Sequence, residues 1–434
     1  MFRTRYLFFT VIVVLFITLT GITTYAGESL TLRDAIGIAL ERNLDILSAR
    51  QEKIKAEGLL KIARGAFLPA LSAAGEYTWQ EETSTRPDET YGGDLSISQS
   101  IYMGGKLRAY RKQADQNLVI AESTITTTEE KVILDVYSRF YGLLLARENV
   151  RTAEDALTYA EDYANELREK REVGLATSLE VTRAEQLLLS SRQDLLEANN
   201  TLKSSRVSFL ELLRIPPEED LEIKGELNFL PVDIDAARSV ALALEKRPEL
   251  TNLRERILFQ EQNIEIARAG LRPNVSVSGT WSYDDPANGG TDGDDTWSVK
   301  MKVDLPLYDN GITRGKVTQE EASLRQAQNA LSSQEDSIKT EITNLFLDLG
   351  SAASRVEETS SNMELAMEAL RLAEVGYREG VGIQLDVLDA RRALTQARLS
   401  HSAAIKDHLL ILASLRRAEG RLISYSLNGE DFKE

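Results

Sequence analysis

A single tandem duplication runs through the 434-residue chain and restricts it to a fold with two similar halves. Three pairs of segments carry the duplication, at offsets of 204, 204 and 206 residues: "ALERNLDIL" (39–47) with "ALEKRPELT" (243–251), "ARGAFLPALSAAGEYTW" (63–79) with "ARAGLRPNVSVSGTWSY" (267–283), and "IYMGGKLRA" (101–109) with "LYDNGITRG" (307–315). We predict a first repeat at 27–230 and a second at 231–425, followed by a polar tail at 426–434. Each repeat is predicted to fold as helix, β-hairpin, long helix, tip and long helix, which makes the fold mainly α with a small β part.

The predicted hairpins lie at about residues 69–103 and 273–307, where apolar and small polar residues alternate with period two. Such strands fit either a transmembrane barrel with a wet interior or a half-exposed sheet packed on helices. Aromatic residues toward the strand ends favour the first, since they are expected at the membrane interface: Tyr77, Trp79, Trp281, Tyr283 and Trp297. Four strands are too few to close a barrel, so the membrane interpretation also predicts an oligomer.

The segments after the hairpins are predicted to be unusually long helices. No proline occurs from Gly105 to about Arg171, and the copy from Gly311 to about Arg378 is as long. At ~1.5 Å per residue, each makes a rod of roughly 100 Å. Apolar residues in the first rod step by three and four, which is a coiled-coil seam: Val150, Ala153, Leu157, Ala160, Ala164 and Leu167. An isolated antiparallel coiled coil would show the same seam.

Residues 1–26 are predicted to be a secretory signal peptide, because two arginines precede an apolar run and a small-residue cleavage site ends at Ala26. A single transmembrane anchor is the alternative. Loss of Arg3 and Arg5 changes the net charge from −17 to −19, so nucleic acid is a poor candidate partner. The chain contains no cysteine. After the signal, no run of 18 apolar residues follows, so any further crossing of a membrane requires strands.

Taken together, the tandem repeat, the "LPA" and "RPN" strand entries, the "PLYDNG" joint and the tip segments resemble the outer-membrane efflux (TolC) family. The resemblance covers essentially the whole mature chain. It implies a homotrimer in the outer membrane of a diderm bacterium, with four strands per subunit in a 12-stranded transmembrane β-barrel and a periplasmic α-barrel of coiled helices. It implies a passive exit duct for a tripartite efflux pump or a type I secretion system, with a periplasmic adaptor and an inner-membrane transporter as partners. It implies no enzyme activity and no cofactor. The alternative is a periplasmic coiled-coil scaffold protein.

Asp386 and Asp389 lie one helical turn apart in the second tip, "VGIQLDVLDA". Both are expected in the first turn of a helix, where carboxylates accept hydrogen bonds from free N–H groups. A catalytic pair is disfavoured because no nearby His, Lys or metal-ligand set completes a site. The resemblance implies a periplasmic gate in which these aspartates form a ring of six carboxylates and Tyr377 helps to hold the helices closed. Gly382 stands where the family has a basic residue, and three arginines are candidates to replace it: Arg378, Arg391 and Arg392.

The tip turns are predicted to contact the adaptor, again by resemblance. The residues concerned are Gly174, Leu175, Thr177, Ser178, Glu180, Gly380, Gly382 and Gln384. The glycines can adopt the positive φ of a tight reversal, which an ordinary turn between two helices would also need. No metal site is predicted. The two histidines, His401 and His408, are roughly 10 Å apart along one helix and cannot share an ion.

Overall fold

The computed structural model describes residues 29–79, 89–218, 221–232, 234–286 and 294–428. The predicted signal peptide lies outside these residues. The predicted polar tail lies partly outside them, since its first three residues belong to a short C-terminal helix and 429–434 are not described.

Helices account for most of the described chain. They are α1 (Leu32–Arg42), α2 (Leu44–Gly65), α3 (Lys106–Glu172), α4 (Ser178–Leu213), α5 (Ala236–Lys246), α6 (Pro248–Arg268), α7 (Ile312–Arg378), α8 (Gln384–Ala418) and α9 (Leu422–Asn428). The strands are β1 (Ser29–Leu30), β2 (Ala70–Trp79), β3 (Glu89–Met103), β4 (Glu222–Ile223), β5 (Asn274–Pro286) and β6 (Asp294–Asp304). The order α1, α2, β2, β3, α3, α4 recurs as α5, α6, β5, β6, α7, α8. The mainly helical fold with a small β part that the sequence predicts is confirmed.

Two helices, rather than the single predicted one, precede each hairpin. In the first half the break falls at Asn43, whose extended backbone ends α1 and whose side-chain oxygen accepts a hydrogen bond from the Asp45 N–H at 2.9 Å. In the second half it falls at Arg247, because Pro248 disfavours a helical conformation in the residue before it. The same break is thus produced by two different local causes.

The rods α3 and α7 each contain 67 residues and correspond to about 100 Å of helix. No helix in the described part of the chain combines the length and the hydropathy needed to span a membrane. α3 packs along α4 and α7 along α8, and the two helical hairpins contact each other through α3 and α8. In the predicted seam, Val150, Ala160, Ala164 and Leu167 are buried. The chain is therefore more than an isolated antiparallel coiled coil.

The two β-hairpins form one antiparallel sheet with the order β2-β3-β5-β6. Directly paired residues share a face, and one row runs across all four strands: Ser72, Ser96, Thr280 and Ser298. Among the described residues, β2 and β6 pair on one side only, so the sheet has two open edges. The helices leave from one end of the sheet and the hairpin loops lie at the other.

The largest core surrounds the middle of α3, where α1, α4 and α9 pack against it. Its fully buried large side chains are Ile36, Ile46, Ile133, Leu144, Phe209, Leu210 and Leu213. A parallel two-residue bridge between β1 and β4 ties the segment before α1 to the connector after α4. This core fixes the relative positions of the helices and thereby the direction in which the rods extend.

A charged cluster is buried where α3 meets the start of α6. Glu130 is 3% exposed, and Arg247 is 4% exposed with its guanidinium 3.4 Å from Glu249 and 2.5 Å from Glu341. Burial, reinforced by the negative charge of Glu249, raises the pKa of Glu130 to about 7, although Arg417 and Arg247 lower it. Glu130 is therefore protonated over a pH range in which a solvent-exposed glutamate is ionised.

The stability of the protein is expected to depend on pH through the Glu130 carboxyl. Because the pKa of Glu130 is higher in the folded than in the unfolded chain, its contribution to stability falls as pH rises from about 4.5 to about 7. Glu130→Gln removes this dependence and is expected to stabilise the protein at pH 8 by on the order of 3 kcal/mol. Unfolding midpoints at pH 5 and pH 8 measure it, with Glu129→Gln as the control on the same turn. An equal effect at both pH values would contradict the prediction.

Candidate gate at the helical tips

The first tip is the turn between α3 and α4. Gly174 has φ +77, and the Leu175 N–H donates to the Lys170 carbonyl at 2.7 Å, which closes the end of α3. Thr177 and Glu180 then form a capping box: the Glu180 N–H donates to Thr177 Oγ1 at 3.2 Å, and the Thr177 N–H donates to the Glu180 carboxylate at 2.7 Å. The Thr177 N–H and hydroxyl both donate to the Glu180 carboxylate and lower its pKa. Glu180 is therefore engaged in starting α4.

The second tip is the turn between α7 and α8, and it ends α7 in the same way. Gly380 has φ +78, and the Val381 N–H donates to the Gly376 carbonyl at 3.0 Å. Gly382 does not have a positive φ, contrary to the expectation for the tip glycines. It is instead packed so closely that a Cβ there would lie 3.1 Å from the Gly376 carbonyl carbon and 3.2 Å from the Tyr377 nitrogen. Close approach of the turn to α7 accounts for this glycine.

The two tip aspartates have different environments. Asp386 accepts a hydrogen bond from the Ile383 N–H at 3.3 Å and lies in the first turn of α8. The expectation that Asp389 shares this role is wrong, because α8 begins at Gln384 and Asp389 falls in its second turn. Asp389 lies 3.9 Å from Arg392, and both side chains are more than 60% exposed, so this ion pair contributes little. Helix capping therefore accounts for Asp386 and does not account for Asp389.

A direct contact joins the two tips. Gln384 is 5% exposed, and its Nε2 donates to the Glu180 carbonyl at 3.2 Å. Leu388 of α8 packs into a cluster formed by the first helical hairpin, together with Leu167 and Val181. The predicted tip residues are thus brought together in the tertiary structure, although 204 residues separate Glu180 from Gln384.

Tyr377 lies beside a cation that the sequence analysis did not identify. Lys170 Nζ is 5.8 Å from the centre of the Tyr377 ring. Of the three arginines considered, Arg391 lies over the Tyr159 ring at 3.7 Å, and Arg392 faces Asp389. Cation–π contacts of this kind stabilise by roughly 0.5–2 kcal/mol. Lys170 belongs to α3, so no local pattern in the second tip could have indicated it.

The neighbouring aromatic residues were also missed. Tyr159 and Tyr163 stack on successive turns of α3 with ring centres 5.6 Å apart. Burial raises the pKa of Tyr163, although its interaction with Gln384 lowers it. Farther from the tip, Arg398 of α8 forms an ion pair with Asp155 of α3 at 3.0 Å. The four-residue spacing of the tyrosines was a readable signal that one face of α3 carries aromatic residues.

The predicted interface aromatics lie at the opposite end of the molecule, in the half of the sheet nearer the hairpin loops. Trp281 pairs with Trp297 across β5 and β6, and Tyr77 pairs with Tyr91 across β2 and β3. All five predicted aromatics are exposed in the single chain, with Trp297 at 78% and Trp79 at 72%. Among the described residues, no cluster of His, Asp and Glu has the arrangement of a metal site.

These features define an elongated protein with paired helical rods, a small open sheet at one end and acidic tips at the other. The profile of the family described as "Outer membrane efflux protein" matches residues 35–213 and 240–421, once in each half. The chain belongs to this family, whose members are channel proteins and not enzymes.

Individual relatives agree with the family assignment. The chain is similar to the cobalt-zinc-cadmium resistance protein CzcC of Cupriavidus metallidurans, with 24% identity over 91% of each chain. It is likewise similar to the alkaline protease secretion protein AprF of Pseudomonas aeruginosa, with 24% identity over 91% of this chain and 85% of AprF. The crystal structure of the outer membrane protein VceC of Vibrio cholerae has the same fold, with 21% identity, a TM-score of 0.77 and coverage of 90% and 96%.

Proposed function

We propose that the protein is a trimeric outer-membrane channel that serves as the passive exit duct of a tripartite efflux pump or a type I secretion system. The observation that carries this proposal is a sheet open at both edges, joined in the same chain to two 67-residue helices that end in acidic tips. The role of an exit duct is that of the relatives, and the alternative of a periplasmic scaffold protein is not favoured.

The open edges support a trimer. A four-stranded sheet presents unpaired N–H and C=O groups along β2 and β6, which in a membrane must find partners. Pairing β6 of one copy with β2 of the next satisfies both edges, and three copies give a closed ring of 12 strands. This contact is head-to-tail, and it produces a closed ring when every copy uses it and the rotations between neighbouring copies add up to a full turn.

The two faces of the sheet support a lipid-facing exterior and a wet interior. On β6, Trp297, Val299, Met301 and Val303 share one face and are all more than 60% exposed in the single chain. Large contiguous apolar surface of this kind marks contact with a partner or with a membrane. We assign the predicted aromatics to the interface on this face, since tryptophan and tyrosine favour that depth.

The tips support docking of a periplasmic adaptor protein, which would link the duct to an inner-membrane transporter. Apolar side chains project from both turns: Leu175 is 77% exposed and Val381 is 86% exposed. They adjoin the predicted docking residues Gly174, Thr177 and Ser178, which are exposed, whereas Gln384 is buried between the two tips. An adaptor segment that covers these side chains would bury apolar surface on both hairpins at once.

The same tips support a gate. Asp386 and Asp389 are exposed, and threefold symmetry would repeat them into a ring of six carboxylates around the axis. Within each chain, the Gln384 contact to Glu180 and the Lys170 contact to Tyr377 hold the second hairpin against the first. Weakening these contacts is the expected route to an open state.

Fractionation and bilayer recording of the intact protein test the proposed function. We expect the protein in the outer-membrane fraction, as a cross-linked trimer that forms discrete conducting channels in planar bilayers. A soluble periplasmic protein without channel activity would support the scaffold alternative and overturn the proposal.

A further inference from the structure

Apart from Asp304 at the helix end of β6, the charges on the polar face of the four-stranded sheet are sorted by sign along the strands. This face is defined by the row Ser72, Ser96, Thr280 and Ser298 and by every second residue on either side of it. Ser72 Oγ and Ser96 Oγ lie 2.7 Å apart, which confirms that paired residues meet on this face. The row itself is uncharged and separates two charged regions.

The region toward the helices contains both lysines of the sheet. Lys300 pairs with Ser278, and Lys302 pairs with Ser276 one row farther on. Lys302 lies 3.6 Å from Asp304, with both side chains more than half exposed, so this ion pair is weak. Among the described residues, Lys300 has no ion-pair partner. We call Lys300 and Lys302 the basic belt.

In the part of this face toward the hairpin loops, all charged residues that the structure describes are acids. Asp94 pairs with Ser282 in the first charged row, and Asp284 pairs with Asp294 in the next. Glu76 belongs to the same row as Asp284, because both pair with Gly92. A Cβ on Gly92 would lie 3.0 Å from Asp284 Oδ1, so the carboxylate lies over this glycine. The four acids form the acidic belt: Glu76, Asp94, Asp284 and Asp294.

The belts are far enough apart to act separately. Four residues along β6 separate Lys300 from the row of Asp94, which is ~13 Å at ~3.3 Å per residue, and six residues separate it from Asp294. The Debye length is ~10 Å at 0.1 M salt and ~3 Å at 1 M. At low salt each belt therefore attracts its own counter-ions.

We infer that the barrel lining of the assembled channel is bipolar, with the basic belt on the periplasmic side of the acidic belt. This inference rests on the proposed function, which makes the polar face the wall of the pore. Within the barrel, cargo driven outward passes the lysines before the acids, so this part of the wall favours cargo that carries an anionic group. Anions that approach from outside meet the acids first and are repelled.

A bipolar lining has a signature that a uniformly charged one lacks. The basic belt accumulates anions and the acidic belt accumulates cations. A voltage that drives the anions and the cations toward the uncharged row between the belts raises the ion concentration there. The opposite voltage lowers it. The channel therefore conducts better at one polarity, and high salt abolishes the difference by screening the belts.

Single-channel recording tests the inference in a background with Asp386→Asn and Asp389→Asn, so that the proposed ring of tip carboxylates is neutral. In symmetrical 0.1 M KCl we expect currents at opposite voltages to differ by about twofold, and in 1 M KCl to be nearly equal. For each channel, the larger current is divided by the smaller current at the opposite voltage, so the orientation in which the channel inserts into the bilayer does not matter. Lys300→Ser with Lys302→Ser is expected to bring the ratio close to one. Lys300→Arg with Lys302→Arg keeps the charge and is expected to keep the ratio.

The outcomes separate this inference from the proposed function. Channels whose current ratio is the same with serine as with lysine, or the same in both salts, would overturn the bipolar lining and leave the channel function standing. Folded trimers that form no channels would overturn the proposed function, and the inference with it. A cross-linked trimer of normal yield is required of each variant before recording.

Discussion

Replacing both tip aspartates with asparagine is expected to remove most of the cation preference of the channel. A cation ~4 Å from one carboxylate gains about 1 kcal/mol in bulk water, and a factor of ten corresponds to about 1.4 kcal/mol. A ring of six carboxylates is therefore expected to favour K⁺ over Cl⁻ by about an order of magnitude, and its neutralisation to bring the ratio toward one. Reversal potentials in a KCl gradient measure the change for Asp386→Asn with Asp389→Asn.

The single variants and a matched control sharpen this test. Asp386 also accepts a hydrogen bond from the Ile383 N–H, so Asp386→Asn is expected to affect the start of α8 as well. Asp389→Asn is expected to leave helix capping intact. Glu379→Gln removes a charge of the same sign at the same tip, outside α8, and is expected to leave selectivity nearly unchanged. Unchanged reversal potentials in the double variant would remove both aspartates from the pore.

Replacement of Phe209 by alanine is expected to be among the most destabilising single changes. Phe209 is fully buried in the main core, with its ring centre 5.8 Å from that of Phe140. Truncation of a buried phenylalanine leaves a cavity and typically costs about 3–5 kcal/mol. Because this core positions α4 against α3, loss of its packing is expected to weaken the contact between these helices at the end of the hairpin opposite the tip. The free energy of unfolding in detergent, from denaturant titration, measures the effect.

Leu196→Ala provides the control on the same helix, since Leu196 is 62% exposed. Surface substitutions of this kind usually change stability by less than about 0.5 kcal/mol. A loss of less than about 1 kcal/mol in Phe209→Ala would show that the region around α4 does not depend on this core.

The rods and strands were predictable because their signals are local and periodic. α3 was expected from Gly105 to about Arg171 and extends over Lys106–Glu172, because a long stretch without proline ends at a glycine. The strands were expected from alternation alone, which follows from the two-residue period of a β-strand. The second helix before each hairpin was not predicted, because asparagine favours caps and turns and so can end α1 without indicating that another helix follows.

The candidate site was predictable only in part. The glycine turns and the helix start at Asp386 follow from local backbone chemistry, whereas the true start of α8 at Gln384 moved Asp389 out of the first turn. The role of Gly382 depends on its distance from α7, which the sequence of the turn does not contain. Assembly and docking at these tips stay predictions.

The sequence by itself determined the repeat, the types of its elements, the positions of its turns and the family, since all of these depend on neighbouring residues and their spacing. The tertiary structure decided which residues of one half meet those of the other. Lys170 lies beside Tyr377, Gln384 bonds to the Glu180 carbonyl, and β3 pairs with β5. These contacts join residues about 170 to 210 positions apart. Their geometry is set by how whole helices and strands pack, which no local pattern encodes.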